Sequence, residues 1–95
     1  FTGDDKTSIV FSPKENRAGT LYEHLRIFAS RNIDLTRIES RPAKRVLGEY
    51  LFFMDIIGHH TEPLVAEALA NIESNSSFYR VLGSYPRWVE GKGDF

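Results

Sequence analysis

Two short stretches carry residue types suited to gripping a small polar molecule. In Asn16-Arg17-Ala18-Gly19-Thr20-Leu21 a glycine stands directly before a run with helical spacing. The backbone N–H groups of the first helical turn have no partner inside the helix. Together with the positive end of the helix dipole they make a seat for a carboxylate. In Ile38-Glu39-Ser40-Arg41-Pro42 the proline lacks an N–H and ends an extended segment. The strand end there could accept hydrogen bonds from an ammonium group. The two stretches are therefore expected to be the halves of one pocket for a free amino acid. Leu21 and the loop around Leu47 would wall its side chain.

Sensing fits these residues better than catalysis does. His24, Ser40 and Asp55 have no spacing that makes a triad, and there is no phosphate-cradling loop or paired carboxylate. His59 and His60 are adjacent, so their side chains are expected to point to different sides, and no third ligand follows at a suitable spacing. No metal and no cofactor are expected. Arg41 is assigned equally to a ligand carboxylate or to an ion pair with Glu39 or Glu49. Arg37, Arg41, Lys44 and Arg45 fall within nine positions, interrupted by Glu39, and read as a solvated basic loop.

Composition narrows the partners. The 95 residues carry a formal net charge of -1, with 41% hydrophobic and 26% charged residues. That suits one folded domain and gives no electrostatic footprint for nucleic acid or an anionic membrane. Cysteine is absent, which removes disulfides and thiolate metal sites. No apolar run approaches the roughly 20 residues that span a bilayer. The chain starts at Phe1 without a signal-peptide pattern, and it reads as a piece of something longer.

The elements that must bring the two stretches together follow from periodicity. Residues 1–6 are expected to end a linker, and residues 7–12, with Ile9-Val10-Phe11, to form a strand. Leu21, Leu25, Phe28 and Ala29 predict an amphipathic helix over 20–30. Residues 33–41 return to period two, with Thr36, Ile38 and Ser40 on one face and Leu35, Arg37 and Glu39 on the other. Residues 49–58 are apolar on both faces apart from Asp55, which predicts a central strand covered on both sides.

After a turn at 58–61, Thr61 is the expected N-cap of a second helix carrying Val65, Ala68, Leu69 and Ile72. Residues 78–85 form the last strand before Pro86, and 88–95 read as a flexible tail. The domain proper is expected over 7–87. Strand, helix, strand, strand, helix, strand with right-handed crossovers gives an α+β, ferredoxin-like βαββαβ sandwich: a four-stranded antiparallel sheet with two helices on one face. The other face would stay bare and apolar, which predicts a homodimer or higher homo-oligomer.

The Asn16–Leu21 turn, the tetrapeptide Glu39-Ser40-Arg41-Pro42, the run Glu49-Tyr50-Leu51-Phe52-Phe53 and Gly83-Ser84-Tyr85-Pro86 together resemble the ACT regulatory domain of prephenate dehydratase. The tetrapeptide is shared with the regulatory domain of aromatic amino acid hydroxylases. The loop differs from the family pattern Asn-x-Pro-Gly-Ala-Leu by Ala18 and Thr20. The resemblance implies a cytoplasmic, non-catalytic regulatory unit that binds L-phenylalanine at a dimer interface. It also implies feedback on an upstream catalytic domain of the same chain. Two other classes fit the element order. One is an RNA-recognition-like module stacking bases on Phe11, Tyr50 and Phe52, although the third-strand signature is missing. The other is a structural dimerisation module without ligand.

Overall fold

The computed structural model describes residues 5–15, 19–42 and 50–86. Its elements run β1 (Asp5–Pro13), α1 (Thr20–Ala29), β2 (Leu35–Pro42), β3 (Tyr50–Ile57), α2 (Pro63–Ser74) and β4 (Ser76–Pro86). The sheet order is β2-β3-β1-β4 with every neighbouring pair antiparallel. Each helix thus carries the chain between two parallel strands separated by a third, and the two crossovers interleave. The expected fold is the observed one.

The core lies between one sheet face and both helices. Ile9, Phe11, Met54 and Ile56 of the sheet meet Phe28 of α1 and Val65, Ala68, Leu69 and Ile72 of α2. The α2 stripe is the one that the spacing predicts. The α1 stripe is rotated: Thr20, His24 and Phe28 are buried, Leu21, Leu25 and Ile27 pack beside them, and Ala29 is exposed. His24 takes the buried position because its flat ring finds both a platform and acceptors there.

Three other expectations need correction. The second helix is capped at Glu62, with Pro63 opening it, and not at Thr61. The Thr61 hydroxyl lies 2.8 Å from His59 Nδ1 instead, while the Glu62 carboxylate accepts the His59 N–H at 2.9 Å. The rings of His59 and His60 do not diverge but stack, with centroids 4.6 Å apart. Strict alternation fails in β2, where Leu35 opposes Ile56, Arg37 opposes Asp55, and Thr36 is an extra residue between them. This bulge puts Leu35 and Ile38 on the same face, and the Thr36 hydroxyl donates to the Asp55 carbonyl at 3.2 Å.

Strand boundaries also shift, with β1 starting at Asp5 and β4 at Ser76. A bulge in β4 leaves Leu82 between Val81, opposite Ile9, and Gly83, opposite Ser8. It turns Leu82 outward, 56% exposed.

The face away from the helices is not a bare apolar sheet. Arg41 lies over Phe53, Arg80 over Phe78 and Lys6 over Tyr85, at 5.1, 5.4 and 5.9 Å from the ring centroids. Long cationic stems cover apolar surface while keeping their charge in water. The central strand β3 is therefore covered by the helices on one side and, at Phe53, by Arg41 on the other. The expected basic loop at 43–48, the Leu47 wall and the tail at 88–95 lie outside the described residues.

Candidate functional site

Helix α1 begins at a backbone conformation that suits glycine. Gly19 is its N-cap with φ 88°, and no side chain caps the first turn. Positive φ costs a residue with a Cβ strain that glycine avoids. The Glu23 N–H donates to the Gly19 carbonyl at 3.0 Å, closing the first turn. Asn16, Arg17 and Ala18 lie outside the described residues. Of the loop half of the expected pocket, the structure places Gly19, Thr20 and Leu21. Thr20 is buried, so its side chain turns into the domain and away from solvent.

The strand half of the pocket sits at the same end of the sheet. Because β1 and β2 run parallel on either side of β3, Pro42 and Pro13 both terminate at the edge where α1 begins. Ser40 opposes Phe52, Phe52 opposes Phe11, and Pro42 opposes Tyr50. One chain alone brings the two halves to one end. Across two intervening strand spacings they stand on the order of 10 Å apart laterally.

Alternation sorts the β2 residues. Ile38 pairs with core residue Met54 and Ser40 with Phe52, so Ile38, Ser40 and Pro42 share the helix-side face. Glu39 and Arg41 share the opposite face with Phe53 and Leu51, their register partners. Arg41 Nε donates to Glu39 Oε2 at 3.1 Å, which is the ion-pair assignment. On the helix side, α1 leaves a ledge uncovered. Ile38 is 42% and Tyr50 45% exposed, and the Tyr50 ring tilts against Phe52 at 6.4 Å. Ile38 was expected in the pocket, but Tyr50 and Phe52 escaped the sequence reading as its neighbours there, although the opposition of Pro42 to Tyr50 follows once the register is known.

His24 was also missed. Its ring nitrogens face two carbonyl oxygens, Nδ1 2.9 Å from that of Thr20 and Nε2 3.3 Å from that of Asn75. The Lys14 N–H donates to the same Asn75 carbonyl at 3.0 Å. His24 therefore ties the start of α1 to the end of α2, beneath a polar cleft of about 410 Å³. The spacing Thr20, His24, Phe28 was the available signal.

The motif Gly83-Ser84-Tyr85-Pro86 is structural in the described chain. Ser84 Oγ accepts the His60 N–H at 3.1 Å and lies 2.7 Å from Thr7 Oγ1, which donates to the Gly58 carbonyl at 2.6 Å. It pins β4 to β1 and to the turn before α2. Among the described residues no group of three or more His, Asp or Glu is placed to hold a metal ion, and no helix is long and apolar enough to cross a membrane. The stacking surface proposed for bases does not form: Phe11 is fully buried under His24, and Phe52 packs against the same core. Only Tyr50 of the three is exposed.

Comparison with known proteins gives consistent matches. The family model of the ACT domain matches residues 14–74. The bifunctional chorismate mutase/prephenate dehydratase of Pseudomonas aeruginosa is 49% identical over 88 residues, covering 93% of this chain and 24% of that protein. The prephenate dehydratase of Methanocaldococcus jannaschii is 47% identical over 81 residues, covering 85% of this chain and 29% of that protein. The structure of prephenate dehydratase in complex with L-Phe from Arthrobacter aurescens superposes with a TM-score of 0.85 at 48% identity. It covers 92% of this chain and 28% of the solved one. The chain spans about a quarter of the length of the curated relatives it matches.

Proposed function

The chain belongs to the ACT domain family, and from that premise we propose that it is the regulatory domain of a prephenate dehydratase, sensing L-phenylalanine. In this reading two copies pair, and each ligand sits between the Asn16–Leu21 turn of one and the Ile38–Pro42 strand end of its mate. Binding restrains a catalytic domain upstream in the same chain, in the cytoplasm, so that the end product limits its own synthesis.

The observation that carries the reading is the left-handed Gly19 at the uncapped start of α1. It leaves the first-turn N–H groups without a side-chain cap among the described residues, as a carboxylate seat requires. The exposed Ile38–Tyr50 ledge supports it further, because an aromatic ring needs an apolar wall. Burying a ring of about 150–250 Å² at about 25 cal/mol per Å² contributes roughly 4–6 kcal/mol before the cost of immobilisation. Adding hydrogen bonds at both ends of the ligand makes micromolar affinity, about −8 kcal/mol, reasonable. Regulation follows if the ligand prefers one arrangement of the dimer; a swing from 1:99 to 99:1 takes roughly 10⁴-fold preference.

Calorimetric titration of the chain with L-phenylalanine, L-tyrosine and L-tryptophan tests the proposal. Saturable heat with L-phenylalanine is expected. Heat with none of the three leaves a structural dimerisation module, and heat only with a single-stranded oligonucleotide replaces sensing by RNA binding.

A further inference from the structure

The sheet ends in two edges, and they are finished differently. At one end β2 carries Arg37, Glu39, Arg41 and Pro42, with a bulge at Thr36. Charges, prolines and bulges are the usual guards on an unpaired strand edge. At the other end β4 is 11 residues long and pairs only with β1. Its bulge at Leu82 and its Pro86 guard the second half of the strand. From Phe78 to Val81 the register with β1 is unbroken, against Ser12, Phe11, Val10 and Ile9 in turn. The charge in that stretch, Arg80, lies over Phe78 on the face away from the helices. One neighbouring strand satisfies only half of a strand's backbone groups, so the outer half here has no partner within the sheet.

A groove of about 300 Å³ runs beside this edge on the helix side. Ala66, Ala70 and Glu73 line it from one flank of α2, and Tyr79 and Val81 from β4. Ala66 and Ala70 are exposed, and their short side chains leave room next to the strand. Burial, and after it the charge of Glu73, pushes the Tyr79 phenol up to about 12, which puts the carboxylate within electrostatic reach of that end of the groove. Among the described residues no salt bridge offsets Glu73.

We propose that the groove between β4 and α2 binds an extended segment of another polypeptide, which adds a strand to β4, lays apolar side chains over Ala66 and Ala70, and meets Glu73 with a lysine or arginine. Main-chain hydrogen bonds to a free edge give affinity, and a groove beside that edge reads every second side chain. Charge complementarity selects the basic residue, since a carboxylate there would face Glu73 at a cost. In the pairing proposed above, the copies meet at the Ile38–Pro42 end of β2, at the opposite end of the sheet order, so β4 stays open in the pair. The peptide site does not depend on the sensing function.

The test uses the 95-residue chain and a phage-displayed library of short random peptides. Selection is expected to enrich peptides with apolar residues at alternate positions and one lysine or arginine. Titrated into isotope-labelled chain, an enriched peptide is expected to shift the amide signals of residues 77–81 and of Ala66, Ala70 and Glu73. No enrichment, or shifts confined to another surface, overturns the proposal. Glu73→Lys is expected to weaken that peptide about fivefold, the upper scale of an exposed ion pair. Ala70→Trp fills the groove from an exposed position and is expected to weaken it more than about tenfold. Glu67→Lys, on the flank where Glu67 pairs with Arg31, is expected to leave affinity unchanged. Equal losses in Glu67→Lys and Glu73→Lys, or unchanged affinity in Ala70→Trp, overturn it. So does concentration-dependent self-association that protects the outer β4 amides from hydrogen exchange without peptide, because a second copy then owns the edge.

Discussion

The imidazole of His24 lies flat on the ring of Phe11, centroids 5.0 Å apart with 13° between the planes. That contact joins α1 to the centre of the sheet, and the carbonyls of Thr20 and Asn75 face the two ring nitrogens, the tautomer deciding which of them accepts the N–H of a neutral ring. Removing the ring leaves a cavity, an unstacked Phe11 and a lost link between the helix ends. His24→Ala is therefore expected to cost about 2–3 kcal/mol. Urea denaturation measures it, and a loss under about 0.5 kcal/mol, the range of ordinary surface changes, contradicts this account.

Gly19 separates backbone strain from ligand crowding. A Cβ built there meets nothing within 4 Å, yet φ is +88°. Gly19→Ala should thus cost about 1 kcal/mol through strain alone, and Gly19→Asn less, because asparagine tolerates this conformation. Valine, branched at Cβ, adds strain and makes a poor probe of binding. If the ligand carboxylate sits against this turn, Gly19→Asn loses L-phenylalanine affinity while its thermal midpoint stays near that of the parent.

Gly58 behaves in the opposite way. With φ +120°, an added Cβ would stand 2.7 Å from Val65 Cγ2, inside the core that α2 forms. Gly58→Ala is expected to destabilise by about 2–3 kcal/mol from overpacking and strain. Combining it with Val65→Ala removes the clash. The double variant should then lose less than the sum of the singles, measured as denaturation free energies.

Tyr79 carries a pH signature. Burial, with the Glu73 charge adding to it, pushes its phenol up to about 12, against about 10 in an unfolded chain. Below pH 10 the group is protonated in both states and contributes no pH dependence. Between 10 and 12 the folded state retains a proton that the unfolded state has released, so stability falls as pH rises. Ultraviolet titration of the phenols should show a late step that Tyr79→Phe abolishes, with a flatter alkaline loss of stability in that variant.

What could be read from the sequence was whatever depended on apolar periodicity. Val65, Ala68, Leu69 and Ile72 are buried as spaced, because α2 packs only by burying a stripe. Helix α1 was misjudged by its polar members. Thr20 and His24 score as surface residues, and only the carbonyls of Thr20 and Asn75 make His24 a tolerable core residue. The bulge at Thr36 was equally hidden, since an extra residue leaves no trace in a two-residue period until the partner strand is known. Of the candidate site, Gly19 was legible as a helix-opening glycine. The Tyr50 ledge and the partner of Asp55 depended on strand register.

Asp5 pairs with Pro86 at the far end of β1 and β4, so the first and last strands begin and finish side by side. A load applied between those two points would peel the pair open one rung at a time rather than shear all rungs together. Such an arrangement resists pulling poorly. Any body tethered to either strand would tug on the same corner of the sheet, opposite the edge where Gly19 and Pro42 lie.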